Sequence, residues 1–508
     1  MSIDPRTPVV VGVGQAAERI DDADYRAMSP VELAAAAAQA AVEDCGGQQV
    51  VAAIDAVVAT RQFENSIPNA PAPLGKSNNF PRSVARLIGA DPARAVLDKV
   101  GGQGPQKLLS EFAAEIAAGT ADVVLLCGSD ATSTLRHFAK SDDKPDFSET
   151  IDGQLEDRGY GLDEFVERYT VIHGLTGAPV QYGLLENARR ARLGRSTADY
   201  LQAMGELFAP MTKIAAKNPF SASPVERTVD ELTTISDANR MICDPYPRLL
   251  VARDQVNQGA AALLMSVEAA RRLGVPEDRW VYLHGHADMR SPRLLERSDL
   301  SAYPAAVAAT TEALAMAGIG FDDVAAMDLY SCFPVPVFAI CDAFHLAADD
   351  PRGLTLTGGL PFFGGAGNNY SMHAIAEAVA AARSAPGQFA FVGANGGMMS
   401  KYSVGVYSAA PVPWMPDRSA ERQAQIDGGA GDAVTEHAEG AATIETYSVR
   451  YDWETRTGIV IGRLDADGSR FLATTEDDDL VALLSDGEPL GVPITVRALD
   501  YGNRCSLR

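Results

Sequence analysis

The sequence predicts an α/β fold made from a duplicated unit, with a loop-rich insertion and a small C-terminal β-barrel. Three observations carry this. Strand and helix patterns alternate from Pro8 to Cys127 and again from Val281 to Tyr407. A Gly-Gly-x-Gly turn occurs twice, at Gly101-Gly102-Gln103-Gly104 and Gly364-Gly365-Ala366-Gly367, each time before an Ala-rich helix and an apolar strand. After Tyr407 the composition changes, first to a Pro-, Gly- and Asp-rich stretch and then to short strand patterns.

Taken in order, Pro8–Val13 reads as a buried strand. Ser29-Pro30-Val31-Glu32 reads as a capping box with proline in the first helical position. The Ala-rich helix that it opens stops near Gly46-Gly47. Ala56–Thr60 and Ala95–Val100 read as strands, the first Gly-rich turn opens a helix to about Gly119, and Val123–Cys127 is the next strand. Ser129 to Pro247 is polar, with helices expected around Val180–Leu193 and Thr197–Ala216. Asn257–Val267 returns to apolar sequence. In the second segment a helix ends at Ala317-Gly318 and leads to Asp328-Leu329-Tyr330, as the earlier one ends at Cys45-Gly46 and leads to Asp55-Ala56-Val57-Val58. Ala409–Ala442 reads as a linker. Ile444–Tyr451, Gly458–Leu464, Phe471–Thr474 and Ile494–Leu499 read as strands, with Asp-Gly turns at Asp467-Gly468 and Asp486-Gly487, which fits an OB-like barrel.

The chain has 508 residues, enough for about three domains and a large core. It carries 43 basic and 67 acidic residues, a net charge of −24. That balance argues against a nucleic-acid partner and against a polybasic membrane contact. No stretch approaches the roughly 20 apolar residues of a membrane span, and Met1 to Val13 lacks the marks of a secretory signal. The six cysteines show no C-x-x-C pair, so neither a zinc site nor a disulfide framework is expected, and a reducing cytoplasm fits best.

Several motifs point to chemistry only weakly. Gly12-x-Gly14-x-x-Ala17 imitates a dinucleotide fingerprint, but a polar stretch separates it from the next helix, and a plain strand exit is expected. His284-x-His286 lacks a third metal ligand, so no metal is expected there. Cys341 and His345 are spaced to share a helix face, with a structural role expected. No Gly-x-Ser-x-Gly nucleophile elbow occurs. The paired Gly-rich turns are sharper. They could face one pocket and polarise a carbonyl with helix-terminal N–H groups, or they could simply pack tightly.

Asn218-Pro219, Asp254-Gln255-Val256-Asn257-Gln258-Gly259-Ala260-Ala261, Leu329-Tyr330-Ser331-Cys332-Phe333, Gly358-Gly359-Leu360 and Asn395-Gly396-Gly397-Met398 follow one another in an order that resembles the thiolase superfamily. The likeness covers about residues 8–408 and is nearest to the sterol-carrier-protein-type thiolases and thiolase-like proteins of type 1. It implies two βαβαβαββ halves in a five-layered α/β/α/β/α core, with a loop domain that normally covers coenzyme A. The division expected is 1–128 with 251–275 for the N-terminal half, 129–250 for the loop domain and 276–408 for the C-terminal half. A linker at 409–442 and an additional β-rich domain at 443–508 follow. Arg189, Arg190, Arg192 and Arg195 lie in the loop domain; the first three are candidates for the anionic end of coenzyme A.

The resemblance also marks departures. The family's nucleophilic cysteine aligns with Gly101, the Asn or His of the next motif with Tyr330, the Gly-His-Pro histidine near Gly365 and the second cysteine near Ala394. A glycine cannot form an acyl-enzyme, so ordinary thiolase turnover is not expected. The leading reading is a protein that holds acyl-CoA or a related thioester without covalent chemistry, with coenzyme A or acyl-CoA as ligand and no bound cofactor or metal. A second reading is an acyltransferase- or lyase-type enzyme of changed chemistry. In it Cys332 and His373 move a proton while the N–H groups of Gly101 and Gly397 hold a carbonyl. A third is a scaffold that meets a protein partner through its C-terminal domain. Either a monomer or a homodimer is compatible with the sequence.

Overall fold

A computed structural model describes residues 3–46, 48–162, 166–452 and 455–508, so Gly47 of the expected Gly46-Gly47 stop lies outside the described residues. The strands are β1 (Pro8–Ala17), β2 (Ala56–Ala59), β3 (Arg94–Leu97), β4 (Val123–Asp130), β5 (Glu156–Asp157), β6 (Met241–Cys243), β7 (Tyr246–Pro247), β8 (Gln258–Ser266), β9 (Tyr282–Arg290), β10 (Val324–Leu329), β11 (Phe389–Gly396) and β12 (Lys401–Ser408). The helices that flank them are α1 (Pro30–Asp44), α2 (Phe80–Ile88), α3 (Gly104–Ala118), α4 (Thr132–Phe138), α5 (Arg168–Ile172), α6 (Ala178–Leu193), α7 (Thr197–Ala215), α8 (Val229–Thr233), α9 (Val267–Arg272), α10 (Pro304–Ala317), α11 (Pro334–Phe344) and α12 (Tyr370–Ser384).

The duplication is visible in the sheets. The first runs β1-β8-β4-β2-β3-β5 and the second β9-β12-β11-β10, so β1, β8, β4 and β2 map onto β9, β12, β11 and β10. The directions match as well: β1 with β8, and β4 with β8, are antiparallel, and β2 with β4 is parallel, as are their counterparts. Leu108, Phe112 and Ile116 of α3 and Met372, Ile375 and Val379 of α12 form one core with residues from both sheets. These two helices are therefore the middle layer. α1 covers the outer face of the first sheet and α10 that of the second, completing five layers.

Local chemistry explains the close layers. Ser29 and Glu32 form the capping box in full: Ser29 Oγ accepts from the Glu32 N–H at 3.1 Å, and Glu32 Oε2 accepts from the Ser29 N–H at 2.7 Å. Gly12 and Gly14 lie inside β1 against the backbone of α1, where a Cβ would strike the carbonyls of Ala41 and Ala37. They serve helix-on-sheet packing, which removes the dinucleotide resemblance. Gly285 on β9 meets Ala313 of α10 in the same way.

The C-terminal part adds α13 (Ser419–Asp427), β13 (Gly440–Asp452), β14 (Thr455–Leu464), β15 (Arg470–Thr475), α14 (Asp478–Asp486), β16 (Pro493–Leu499) and β17 (Gly502–Leu507). The order β14-β15-β17-β16-β13, closed by the β13–β14 pairing, makes a five-stranded barrel with α14 between its third and fourth strands. The parallel β15–β17 pair completes an OB-like topology. Three expectations change here. The linker contains α13, Asp486-Gly487 ends α14 instead of turning a hairpin, and β17 is an additional strand. Ile459, Ile461 and Leu472 on β14 and β15 join the main core with Tyr169 and Leu175, so the face that OB barrels usually offer to ligands is sealed.

Candidate active site

Both Gly-rich turns sit at helix N-termini in the middle layer, Gly101–Gly104 before α3 and Gly364–Gly367 before α12. They are tied to each other. The Gly101 N–H donates to Asn368 Oδ1 at 2.9 Å, and Ser371 Oγ donates to the Gly102 carbonyl at 2.6 Å. Asn368 Nδ2 donates onward to the Arg61 carbonyl at 2.8 Å. The packing role of the turns is thus realised, and the Gly101 N–H is engaged within the protein.

The space beside Gly101 is filled. A Cβ at Gly101 (φ +155°) or at Gly396 would collide with the side-chain oxygen of Gln103. A Cβ at Gly102 would collide with the Tyr330 hydroxyl and lie 2.6 Å from the Asn395 carbonyl. Gln103 is only 6% exposed, and its Oε1 has no hydrogen-bond partner among the described residues. Gln103 was not among the sequence candidates; its position directly after the Gly101-Gly102 pair was the only signal. Tyr330 packs edge-on against Tyr370, ring centres 5.3 Å apart. Gly365 donates its N–H to the Arg253 carbonyl at 2.8 Å, and Ala394 is buried within β11. No carboxylate, imidazole or thiol stands at any of these four positions.

Cys332 and Gly397 belong to a buried polar chain. Asn395 Nδ2 donates to Tyr182 Oη at 2.7 Å and toward Cys332 Sγ at 3.6 Å. Tyr182 Oη in turn donates to the Gly397 carbonyl at 2.6 Å, and Tyr303 Oη meets Asn395 Oδ1 at 2.7 Å. Burial pushes the Cys332 thiol up to about 12, so the thiolate is scarce at neutral pH. His373 lies elsewhere on α12. Gln15 Nε2 donates to Glu377 Oε1 at 2.9 Å, which turns Gln15 Oε1 toward His373 Nδ1 at 2.7 Å. Nδ1 therefore carries the proton, and Nε2 is a buried lone pair without a partner among the described residues. Burial pushes this imidazole down to about 3 and keeps it neutral. The structure does not join Cys332 to His373: each is hydrogen-bonded to a different set of side chains.

The three arginine candidates also have internal partners. Arg189 is bidentate to Asp342 at 2.9 and 2.7 Å and lies over Phe338. Arg190 is buried against Tyr447 and pairs with Glu488. Arg192 is exposed and pairs with Asp342 at 2.6 Å. These groups fasten α6 to α11 and to the barrel. A different set is left open. Arg253 is held below the usual guanidinium range by burial and by the cations of Arg248, Arg136 and Arg227. Arg253, Arg248 and Arg227 have no ion-pair partner among the described residues, while Arg136 pairs with Asp254. The segment they rim touches the motif loops, since the Ala252 N–H donates to the Cys332 carbonyl at 2.9 Å and the Arg253 N–H to the Leu360 carbonyl at 3.1 Å. The sequence did not single these arginines out, because they are scattered from position 136 to 253 and only folding gathers them.

Among the described residues no cluster of His, Cys, Asp or Glu is arranged to hold a metal. His284 Nε2 and His286 Nε2 lie 2.8 and 3.0 Å from the carbonyls of Ala410 and Met415, and His286 stacks on Trp414. They pin the segment after β12. Cys341 lies inside α11, but His345 is its left-handed cap, with φ 58°, so the two do not share a helix face.

Residues 421–500 match the family model for the thiolase-like protein type 1 additional C-terminal domain. The whole chain is 59% identical to a monomeric SCP2-thiolase-like protein type 1 from Mycobacterium smegmatis, with 100% of both chains covered and a TM-score of 0.87. It is similar in fold to an acetyl-CoA acetyltransferase from Syntrophomonas wolfei, at 14% identity, 81% and 100% coverage and a TM-score of 0.56. A dimeric peroxisomal thiolase of Saccharomyces cerevisiae matches at 14% identity, 80% and 98% coverage and a TM-score of 0.57. No curated protein matches the chain.

Proposed function

The chain belongs to the SCP2-thiolase-like proteins of type 1, and from that premise we propose that it binds acyl-CoA or a related acyl thioester without forming an acyl-enzyme. The single observation that carries this is the occupied nucleophile position, where Gly101 has no side chain and the Gln103 side chain takes the volume. A thioester held here meets no thiolate and no free base. Arg253, Arg248 and Arg227 supply the electrostatic anchor for its phosphates at the rim of the motif loops. They replace Arg189, Arg190 and Arg192 in that role, whose guanidinium groups are engaged by Asp342 and Glu488. Proton transfer between Cys332 and His373 draws no support from their separate surroundings. A monomeric working state is part of the proposal, as is a reducing compartment for six free, buried thiols.

Calorimetric titration with coenzyme A and acyl-CoAs of increasing chain length tests the reading. Saturable binding is expected, weakened at least about ten-fold by Arg227→Ala with Arg253→Ala, which corresponds to ~1.4 kcal/mol. Mass spectrometry after incubation should show no acyl adduct. Absence of heat with every ligand, or an acylated chain, would overturn the proposal.

A further inference from the structure

Arg297 is a cation buried without a counter-charge. It follows the short turn of helix Leu294–Glu296 and is only 3% exposed. Nε donates to the Pro292 carbonyl at 3.1 Å and Nη2 to the Met398 carbonyl at 2.9 Å. Nη1 is buried and has no hydrogen-bond partner among the described residues. Burial pushes this guanidinium down to about 10, which leaves it protonated at neutral pH. The acidic groups that act on it are Tyr303 and Tyr182, and no carboxylate is among them. Burial pushes both phenols well above the ordinary tyrosine range, so both are neutral. Tyr182 donates its proton to the Gly397 carbonyl at 2.6 Å, and Tyr303 Oη meets two acceptors, the Lys401 carbonyl at 2.6 Å and Asn395 Oδ1 at 2.7 Å. Asp288, a buried carboxyl on β9, is answered by Ser403, Lys107 and Lys401, and Glu296 is exposed. An ion taken out of water costs several kcal/mol unless an opposite charge meets it.

The residues around Arg297 close a ring. The Ser291 N–H donates to the Ser400 carbonyl at 2.9 Å. From Ser400 the chain leads back through Met399 to Met398, which takes Nη2, and Nε returns to Pro292, the residue after Ser291. Two more donors on this ring stand idle: Ser291 Oγ and Ser400 Oγ are buried and have no partner among the described residues. Three buried donors, one of them charged, with no acceptor to meet them have the chemistry of an anion site. A water would satisfy the hydroxyls and leave the charge unanswered. One positive charge calls for a monoanion, and atoms so enclosed admit only a small ion that has shed its water. The ring also carries strain. Met399 has φ +49°, a backbone conformation that a side-chain-bearing residue keeps only where its surroundings impose it. The Arg297 carbonyl in turn accepts from Arg470 of the barrel.

We propose that Arg297 Nη1, Ser291 Oγ and Ser400 Oγ hold a chloride-sized monoanion. The ion neutralises the guanidinium and braces the turn from Gly396 to Ser400, which carries Gly397, against the segment that the barrel grips through Arg470. The thioester reading rests on other arginines, Arg253, Arg248 and Arg227, so the two readings stand or fall separately.

Thermal unfolding of the full chain in sodium gluconate, with sodium chloride titrated in at constant ionic strength, gives the test. The unfolding temperature should rise with chloride and saturate, as it does when a ligand binds only the folded state. Arg297→Met, whose side chain needs no counter-ion, should abolish the rise. Ser400→Ala should raise the chloride concentration for half the effect by about five-fold, as loss of one hydrogen bond does. Bromide should act as chloride does, and its anomalous signal in crystals of the parent chain should lie against Arg297 Nη1. The bromide measurement and Ser400→Ala both keep Arg297, so misfolding of the methionine variant would not remove the test. No chloride effect, an equal effect in both variants, or bromide found at the surface as an adventitious ion only would overturn the proposal. A rise with formate and with neither halide would overturn it in favour of a carboxylate ligand.

Discussion

Gly101 offers no group to an acyl chain, and the atom nearest to where its side chain would be is the end of the Gln103 carboxamide. That obstacle is flexible, but Gly101 has φ +155°, so Gly101→Cys should cost about 1–3 kcal/mol of backbone strain besides the ~1–3 kcal/mol usual for added bulk in a packed site. It should still form no acyl adduct with acetoacetyl-CoA in intact-mass analysis, since Gly365 and Ala394 supply no base. An adduct would show that the frame needs only its nucleophile. The thiols make a second prediction at this scale. All six cysteines are buried, and burial pushes the Cys332, Cys127 and Cys341 thiols up to about 12. An aromatic disulfide reagent at neutral pH should find fewer than one reactive thiol per native chain and six after denaturation. That glycine stands at position 101 and alanine at 394 was legible in the sequence, because positions are counted along the chain. The plug was not, because Gln103 fills its space only by turning back against Gly396.

Among the elements, β3 would leave a bare sheet edge if β5 did not pair with it. Two residues, Glu156 and Asp157, make that cap. Arg94 holds it through Glu156 at 2.9 Å, and Arg158 anchors the following turn through Glu111 at 2.7 Å. A short strand and charged neighbours are the usual protection of an edge. Glu156→Lys with Asp157→Lys should free the edge and raise the sedimentation coefficient with concentration, while the parent chain should show no such rise. The α5–barrel contact yields a pH prediction. His173 Nδ1 faces the Tyr169 carbonyl at 2.7 Å and Nε2 accepts from Asn503, so the ring is neutral. Burial, together with Arg504, holds it below the ordinary histidine range, and Glu436 acts in the opposite sense. A depressed histidine binds its proton more readily when unfolded, so its contribution is full above about pH 6.5 and falls as the pH drops below that. Comparing urea unfolding at pH 7.5 and 5.5, His173→Gln should lose less stability than the parent, by up to ~1.4 kcal/mol per pH unit. An equal loss would show that the ring takes up its proton without breaking the contact. The helices and strands of the two halves were readable because their periods and caps are local. α13, α14 and β17 were missed: Pro, Gly and Asp in the first two regions resemble turn sequence, and Gly502-Asn503-Arg504 has no alternation until it pairs with β16.

At the scale of the whole molecule, Arg470 is among the groups that hold the barrel to the thiolase-like core. Arg470 is fully buried, pairs with Asp432 at 2.7 Å and Glu445 at 2.6 Å, and donates to the Leu295 carbonyl at 2.8 Å and to that of Arg297. Arg470→Met would leave Asp432 and Glu445 to Arg463 alone, and two carbonyls with no donor. The expected loss is about 2–6 kcal/mol in urea unfolding, from two buried carbonyls left without a donor at about 1–3 kcal/mol each. A loss below ~1 kcal/mol would mean that the barrel is an independent appendage. The shared core of Ile459, Ile461 and Leu472 with Tyr169 and Leu175 argues the same point through apolar burial.

Chain order alone carried the architecture and the identity of the side chains at the motif positions. Strand and helix periods, the repeated Gly-Gly-x-Gly turn and the composition change after Tyr407 are local or repeated signals. A missing cysteine at position 101 is a covalent fact that no fold can reverse. Only the tertiary structure decided which charges are free. Arg189 and Arg190, adjacent in sequence on one helix, are buried and paired with Asp342 and Glu488, while Arg248 and Arg227 are brought beside Arg253, whose backbone touches the motif loops. The physical reason is that a charge becomes available or is neutralised through space, by partners that chain order does not reveal.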